Sequence, residues 1–184
     1  METAFITSRG EVVIIRPARP EDAEGIVDSI NQVGREKIHL LVEEFPLSVE
    51  EEREYLEGLD RDRNLFLVVV SGGQATGEGR IVGGVGVFQD RGGRSPKTRH
   101  LCGVGLHLIR EYRGQGIGTR LLELAVEWAR QQGYLKMDAS IFSTNAASLA
   151  LFRKLGFVEE GRRRCQFLVE GGFVDEVLVG KWLA

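Results

Sequence analysis

The spacing of hydrophobic and polar positions predicts a mixed α/β domain in which one parallel strand pair interrupts an otherwise antiparallel order. Apolar residues at helical spacing predict four helices. These follow Pro20, Ser48, the glycine-rich turn at 114–118 and Asn145, and they end near Gly34, Gly58, Gly133 and Gly156. Apolar or β-branched runs predict seven strands, at 11–16, 65–70, 80–88, 101–108, 135–142, 157–160 and 173–182. The parallel pair is expected at 101–108 and 135–142, because a helix separates these two strands.

Length, charge and cysteine content fit a single globular domain. The 184 residues are 42% hydrophobic and 28% charged, and the net charge of -3 does not indicate nucleic acid or a membrane surface as a partner. No apolar run approaches the roughly 20 residues that span a bilayer. Two cysteines do not make a disulfide framework, so a cytoplasmic setting is expected. We assign residues 11–184 to the domain and leave 1–10 as a tail or a fraying first strand. A polar, basic hairpin loop is expected at 89–99.

The segment HLCGVGLHLIREYRGQGIGT, residues 100–119, reads as a strand, a glycine-rich turn and the start of a helix. Glycine lets a backbone approach a ligand closely, and the first amides of a helix have no partner inside it. We therefore predict that the main chain from Arg113 to Thr119 holds a pyrophosphate. A tight structural turn and a dinucleotide site, with Asp138 as the ribose-binding acid, are the alternatives. The spacing Gly-x-Gly-x-Gly differs from the dinucleotide pattern, which disfavours the second alternative.

Two motifs resemble those of the GNAT superfamily of N-acetyltransferases. Arg113-x-x-Gly116-x-Gly118 matches that superfamily's acetyl-CoA signature, Arg/Gln-x-x-Gly-x-Gly/Ala. Asn145 with the segment SLALFRKLGF is similar to its later Asn…Ala…Leu-Tyr-x-x-Leu-Gly-Phe segment, and the closing GGFVDEVLVGKWL also resembles bacterial members. The likeness covers residues 11–184. It implies a GNAT-like fold with a central, mostly antiparallel sheet of about seven strands, a splayed parallel pair and about four flanking helices.

The resemblance implies that acetyl-CoA binds as a co-substrate to a defined set of residues. The set is Leu106, Leu108, Arg113, Gly114, Gln115, Gly116, Ile117, Gly118, Thr119, Asn145 and Phe152. The turn is expected to receive the pyrophosphate, and the strand at 106–108 is expected to receive the pantetheine amides. Arg153 or Lys154 could meet the adenosine phosphate. Asn145 is interpreted both as a helix cap and as a ligand contact.

The implied activity is that of an acyltransferase, in which an acetyl group passes directly from acetyl-CoA to a primary amine in a ternary complex. The acceptor is a small molecule or a protein, and the resemblance leaves a homodimer open. The backbone amide of Leu106 is expected to hold the developing oxyanion. His100 is the candidate base, since in some relatives the base matches its position or that of Cys102. A packed histidine at the edge of a loop is the alternative for His100.

Two features of the sequence leave the chemistry open. Phe152 stands where the superfamily usually has a tyrosine thought to protonate the leaving thiolate, and phenylalanine cannot do so. The positions of His100 and Cys102 also carry no carboxylate, which is the usual base in those relatives. The domain could therefore bind acyl-CoA without turning it over, as a sensor or an interaction module. The three histidines offer no converging spacing for a metal, so we predict no metal site.

Overall fold

Eight strands and four α-helices make up the computed structural model, which describes residues 2–72, 79–89 and 95–184. The strands are β1 (Thr3–Ile6), β2 (Val12–Pro17), β3 (Leu65–Ser71), β4 (Arg80–Gln89), β5 (Leu101–Leu108), β6 (Lys136–Phe142), β7 (Val158–Val169) and β8 (Gly172–Trp182). The helices are α1 (Ala23–Gly34), α2 (Val49–Glu57), α3 (Ile117–Gln131) and α4 (Ala146–Lys154). No helix among the described residues is both long and apolar enough to cross a bilayer.

All eight strands belong to one sheet, in the order β1-β2-β3-β4-β5-β6-β8-β7. Every neighbouring pair is antiparallel except β5 and β6, which are parallel. The prediction of a mixed α/β fold with one parallel pair is confirmed, with four α-helices as expected and eight strands instead of about seven. The additional strand is β1, which pairs with β2 and corresponds to the fraying-strand interpretation of residues 1–10.

Helices cover both faces of the sheet because successive strand residues point to opposite sides. On one face, Ile26 of α1 and Leu56 of α2 pack against Val68 and Val70 of β3. On the other face, α3 packs against a larger apolar cluster that includes Val69. The face that carries α1 and α2 and the face that carries α3 therefore have separate apolar cores.

Capping residues and glycines in the sequence correctly predicted where most of the helices begin and end. Ser48 caps α2 in a reciprocal capping box with Glu51, as the spacing predicts. The helix expected from Pro20 begins as a 3-10 turn, Pro20–Asp22, before α1. Residues 90–94 of the predicted basic hairpin loop lie outside the described residues.

The strand predicted at 157–160 is too short, because β7 extends over Val158–Val169. Most β7 side chains are exposed, so the strand lacks the alternation of apolar and polar residues that marks a half-buried strand. Its extent is set by antiparallel pairing with β8, and that pairing tolerates irregularities between Glu159 and Gly161 and between Arg163 and Phe167.

Candidate functional site

The sheet opens between β5 and β6 because these strands pair over only three residues. Their parallel register runs from Leu101↔Lys136 to Gly103↔Asp138, after which β6 continues alongside β8. Beyond this point lies a cavity of about 780 Å³, called the cleft below. Its walls come from β5, β6, the glycine-rich turn, α4 and the segment between α1 and α2. The structure therefore contains the splayed parallel pair that the resemblance implies.

Strand β5 points main-chain groups into the cleft. The amide of Ile109 donates to the carbonyl of Val82 on β4 at 3.0 Å, which fixes the direction of the neighbouring amides. Because alternate residues of a strand point their amides to opposite sides, the amides of Leu106 and Leu108 point away from β4 and toward the splayed side. Both residues line the cleft. Leu106 and Leu108 thus lie where a ligand could form hydrogen bonds with the edge of β5 that β6 no longer covers.

The glycine-rich turn continues this edge with further amides. Gly114 has φ of 69° and Gly116, the N-cap of α3, has φ of 86°, conformations that L side chains adopt only with strain. Within the described part of the chain, no main-chain carbonyl accepts a hydrogen bond from either glycine amide. The first amides of α3 have no acceptor inside the helix. The turn therefore places consecutive donors beside the positive end of the helix dipole.

Two of the residues that were predicted to bind acetyl-CoA turn their side chains away from the cleft. Ile117 is fully buried, and Gln115 is buried with its Nε2 donating to the carbonyl of Glu111 at 2.6 Å. Neither is part of the cleft lining, so a ligand in the cleft could contact them only through the main chain. The turn residues that do line the cleft are Arg113, Gly114, Gly116, Gly118 and Thr119.

The guanidinium of Arg113 is engaged by the protein itself. Its two terminal nitrogens pair with the Glu36 carboxylate at 2.7 and 2.9 Å, and Nη1 also donates to His39 Nε2 at 3.0 Å. Its Nε donates to the carbonyl of Leu108 at 2.8 Å. This Glu36–Arg113–His39 cluster ties the segment after α1 to the glycine-rich turn. The Arg113 side chain therefore anchors the turn, whereas the sequence predicted Arg113 only as part of the segment that binds a pyrophosphate.

The charges in this cluster are fixed by its contacts. Hydrogen bonding to Arg113 is the main cause that lowers the pKa of Glu36, so this carboxylate stays ionised at neutral pH. Burial, and then the charge of Arg113, lowers the pKa of His39. A neutral His39 can accept through Nε2, as the bond from Arg113 requires, because a guanidinium only donates.

The two predicted residues of α4 lie in the cleft wall. Asn145 caps the helix by accepting a hydrogen bond from the amide of Ser148 at 3.1 Å, and it also lines the cleft. Phe152 is buried, with its ring packed edge-on against Phe157 at a centroid distance of 4.9 Å. Lys154 lines the cleft, whereas Arg153 does not. The cap interpretation of Asn145 is thus confirmed, and its contact with a ligand remains a prediction.

The structure separates His100, the predicted base, from the cleft. His100 precedes β5 at the end remote from the turn, and its carbonyl accepts from the amides of Leu135 and Lys136. With about 3.3 Å per strand residue, it lies roughly 20 Å along the strand from Leu106. Cys102, next to it, is buried, and burial followed by the charge of Asp138 raises its thiol pKa to about 12. Neither residue lines the cleft, so the proton acceptor must be sought elsewhere.

His107 is a cleft residue whose role the sequence did not reveal. The Ser29 hydroxyl donates to the carbonyl of Ile26 at 2.9 Å, so at 2.9 Å from His107 Nε2 it accepts a proton from the ring. Burial, and then the charge of Arg113, lowers the pKa of His107 to about 4. The imidazole is therefore uncharged at neutral pH, and its Nδ1 is the nitrogen without a proton. No local pattern in the sequence indicates its partner on α1, because Ser29 and His107 are 78 residues apart.

A second polar group missed from sequence lies across the cleft on β6. Ser140 is exposed in the cleft wall, and its hydroxyl donates to Glu176 Oε1 on β8 at 2.5 Å. Glu176 is only 7% exposed, and its Oε2 accepts from Arg163 on β7 at 2.7 Å. An alternation pattern alone could not single out these residues, because Ser140 and Glu176 are distant in sequence.

Comparisons with known proteins agree with this geometry. The sequence profile of the acetyltransferase (GNAT) family matches residues 35–157. The SPbeta prophage-derived uncharacterized N-acetyltransferase YokL of Bacillus subtilis is 27% identical over 173 residues, which are 93% of this chain and 90% of that protein. The L-methionine sulfoximine/L-methionine sulfone acetyltransferase of Pseudomonas aeruginosa is 48% identical over 52 residues, 28% of this chain and 30% of that protein. The crystal structure of a GNAT family acetyltransferase from Streptococcus pneumoniae has a TM-score of 0.83 and 27% identity, and the match covers 94% of this chain and 99% of that one.

Proposed function

This chain belongs to the acetyltransferase (GNAT) family, and we propose that it acetylates a primary amine by direct attack of that amine while acetyl-CoA is also bound. Membership of the family makes the protein an acyltransferase that uses acetyl-CoA. The observation that supports the proposal best is the continuity of main-chain donors from the open edge of β5 into the glycine-rich turn. Both features border the same cleft.

The side of the cleft that is formed by β5 and the glycine-rich turn fits an elongated ligand that ends in a diphosphate. Amides of the turn and of the first turn of α3 would hold the diphosphate, because the end of the helix concentrates unpaired donors and a positive dipole. The amide of Leu108 would hold the pantetheine arm as an added strand partner. Acetyl-CoA supplies an acetyl group activated as a thioester. The Leu106 amide is then oriented to donate to the carbonyl oxygen of that group.

On the acceptor side, the cleft wall that comes from the segment between α1 and α2 is apolar. Leu40, Leu41, Val42, Phe45 and Pro46, from the segment between α1 and α2, line it. Asn31 on α1 holds this segment, because its Oδ1 accepts from the amide of Phe45 at 2.6 Å. His107 adds a neutral imidazole instead of a cation, so it does not repel an incoming ammonium group. We therefore propose an acceptor whose primary amine is flanked by an apolar group.

Two chemical requirements remain for the protein. An alkyl ammonium, with a pKa of about 10.4 for a lysine-like amine, must lose a proton before its nitrogen can attack. The leaving thiolate needs less help, because the pKa of a thiol is about 8.5. Phe152 cannot donate a proton, so water is the acid that protonates the leaving thiolate. Holding both substrates in one cleft supplies much of the remaining rate advantage.

A direct assay tests the proposal. Purified protein with acetyl-CoA is mixed with hexylamine, spermidine, L-methionine sulfoximine, an aminoglycoside and a peptide with a free N-terminus, and thiol release is followed together with the mass of the acetylated product. We expect release with at least one amine and the fastest turnover where an apolar group flanks the amine. Binding of acetyl-CoA, measured by calorimetry, with no thiol release from any amine would favour the sensor or interaction module. Binding of NAD instead of acetyl-CoA would overturn the donor assignment.

The Pseudomonas aeruginosa relative named above guides the choice of amine. Its name identifies L-methionine sulfoximine and L-methionine sulfone as compounds that it acetylates, and the match to it covers 28% of this chain and 30% of that protein. The α-amine of L-methionine sulfoximine is a primary amine, and its methylene groups are compatible with the apolar wall of this cleft, whereas its sulfoximine end is polar. Homodimer formation and a cytoplasmic location stay predictions from the sequence.

A further inference from the structure

We infer that Ser140 and Glu176 form the proton relay that deprotonates the acceptor amine. The inference rests on the proposed function, because it assigns a proton acceptor to the same cleft. Ser140 is the residue that touches the cleft, and Glu176 lies behind it. The two are joined by a hydrogen bond of 2.5 Å from Ser140 Oγ to Glu176 Oε1.

Strand register places Ser140 on the acceptor side of the cleft. Residues opposite each other in a parallel pair point to the same face, so Gly103 and Asp138 share a face. Alternation along each strand places Gly105 and Ser140, two residues further on, on that face too. His107 lies two residues beyond Gly105, so it shares this face. Ser140 and His107 thus flank the mouth of the cleft on the side of α1, opposite the face that carries α3.

The surroundings of Glu176 suit a buried proton acceptor. Its partner across the sheet is Arg163 of β7, whose Nη1 donates to Oε2 at 2.7 Å. On the β6 side, Ser140 donates to the other oxygen. Asp138 lies two residues before Ser140 on the same face, and the neighbouring Asp175 pairs instead with Arg162. Both oxygens of Glu176 are therefore engaged, and the bond to Ser140 is the one that connects it to the cleft.

The proton and electron balance follows from these contacts. A proton moves from the acceptor ammonium to Ser140 Oγ while the hydroxyl proton of Ser140 moves to Glu176 Oε1. The amine nitrogen keeps the electron pair and forms a bond to the acetyl carbon. The thioester C–S bond breaks, and its electron pair leaves on sulfur. The nitrogen loses its second proton as the amide forms, and this proton reaches the thiolate through water and gives the free thiol. Glu176 ends protonated and returns its proton to solvent through Ser140.

The relay predicts a distinctive pH dependence. If it deprotonates a bound ammonium, kcat/KM is nearly constant from about pH 6 to 9 for hexylamine, because the protonated amine is the form consumed. If only free neutral amine reacts, kcat/KM rises about tenfold per pH unit, since an amine of pKa about 10.4 is neutral in roughly 1 molecule of 2,500 at pH 7. Wild type should show the first profile, and Ser140→Ala and Glu176→Gln the second.

The size of the loss follows from the same comparison. At pH 7 each variant should lose about 10²- to 10³-fold in kcat/KM for hexylamine, within the range of general base catalysis, and the deficit should shrink as pH rises. The affinity for acetyl-CoA, measured by calorimetry, should change less than twofold. Ser143→Ala is the matched control, because the Ser143 hydroxyl accepts from the amide of Asp175 on β8 and does not line the cleft. It should keep the wild-type profile.

A second measurement needs no acceptor. In the ligand-free protein labelled with ¹³C at glutamate side chains, the carboxyl signal absent from Glu176→Gln identifies Glu176. Ser140→Ala should move this signal, because it removes the hydrogen bond to Oε1, whereas Ser143→Ala should not. An unmoved signal would show that the bond does not exist in solution and would overturn the relay. If wild type releases thiol and the variants keep its flat profile, the relay alone fails; if wild type binds acetyl-CoA and releases none with any amine, the proposed function fails.

Discussion

Replacing Gly114 with alanine separates the conformational role of the glycine-rich turn from its role in binding. Gly114 has φ of 69°, and a Cβ placed there meets no protein atom within 4 Å. The cost to folding is therefore the left-handed conformation alone, roughly 1–2 kcal/mol for a residue with a side chain. The added methyl group would enter the cleft, where the diphosphate is proposed to lie against the turn.

The chain offers a matched control at the other end of the same helix. Gly133 has φ of 80°, has no protein atom within 4 Å of a built Cβ, and lies outside the cleft. Gly133→Ala should thus lose a similar roughly 1–2 kcal/mol of unfolding free energy without entering the binding region. Urea unfolding of both variants checks that the two conformational costs are equal within about 0.5 kcal/mol.

Binding of acetyl-CoA then distinguishes the two variants. Displacing the diphosphate from one amide loses a hydrogen bond to a charged group, about 1.5–3 kcal/mol, which corresponds to roughly 10- to 100-fold in Kd. Calorimetry should show this loss for Gly114→Ala and no more than a twofold change for Gly133→Ala. Equal Kd values for Gly114→Ala and wild type would refute the idea that the turn holds the diphosphate.

Five further substitutions, at four residues, test single interactions. Asn145→Ala should lose about 1 kcal/mol of unfolding free energy with its cap, and Asn145→Asp should keep the cap but lose the amide donors. Phe152→Tyr should raise kcat up to roughly 10²-fold by adding a proton donor for the thiolate. Glu36→Gln should lose the stability that the Arg113 bond gives above about pH 4.5; in wild type this stability disappears as pH falls through the lowered pKa of Glu36. Glu52 is buried with a pKa raised to about 7, so stability should fall between about pH 4.5 and 7, and Glu52→Gln should abolish that fall.

Each of these has a control and a contrary outcome. An unchanged acetyl-CoA Kd in Asn145→Asp would leave Asn145 as a cap only. A kcat for Phe152→Tyr equal to wild type, with normal folding, would show that departure of the thiolate does not limit the rate. Unfolding measured at pH 3 to 6 tests Glu36, and unfolding at pH 5 and 8 tests Glu52. In each case a difference between variant and wild type that does not change with pH would contradict the assigned titration.

The amino-acid sequence was sufficient for features that depend on neighbouring residues. Ser48 and Glu51 are one helical turn apart, so their capping box is visible as a spacing, and the same holds for Asn145 as the cap of α4. The alternating glycines of the turn indicate left-handed backbone directly, because few other residues adopt it at low cost. Strand runs and helix periods gave the order of elements, which restricts the sheet to one parallel pair.

Only the tertiary structure decided which side chains meet in the cleft. Arg113 and Glu36 are 77 residues apart, Ser29 and His107 are 78 apart, and Ser140 and Glu176 are 36 apart. No local period encodes such pairs, because strand register and helix packing together set the distance between them. For the same reason the sequence could not show that His100, the predicted base, lies at the end of β5 remote from the cleft. Nor could it show that Ser140 is hydrogen-bonded to the buried carboxylate of Glu176 on β8. The sequence thus determined where a ligand backbone could be held, and the packing of distant segments determined which groups surround the reacting atoms.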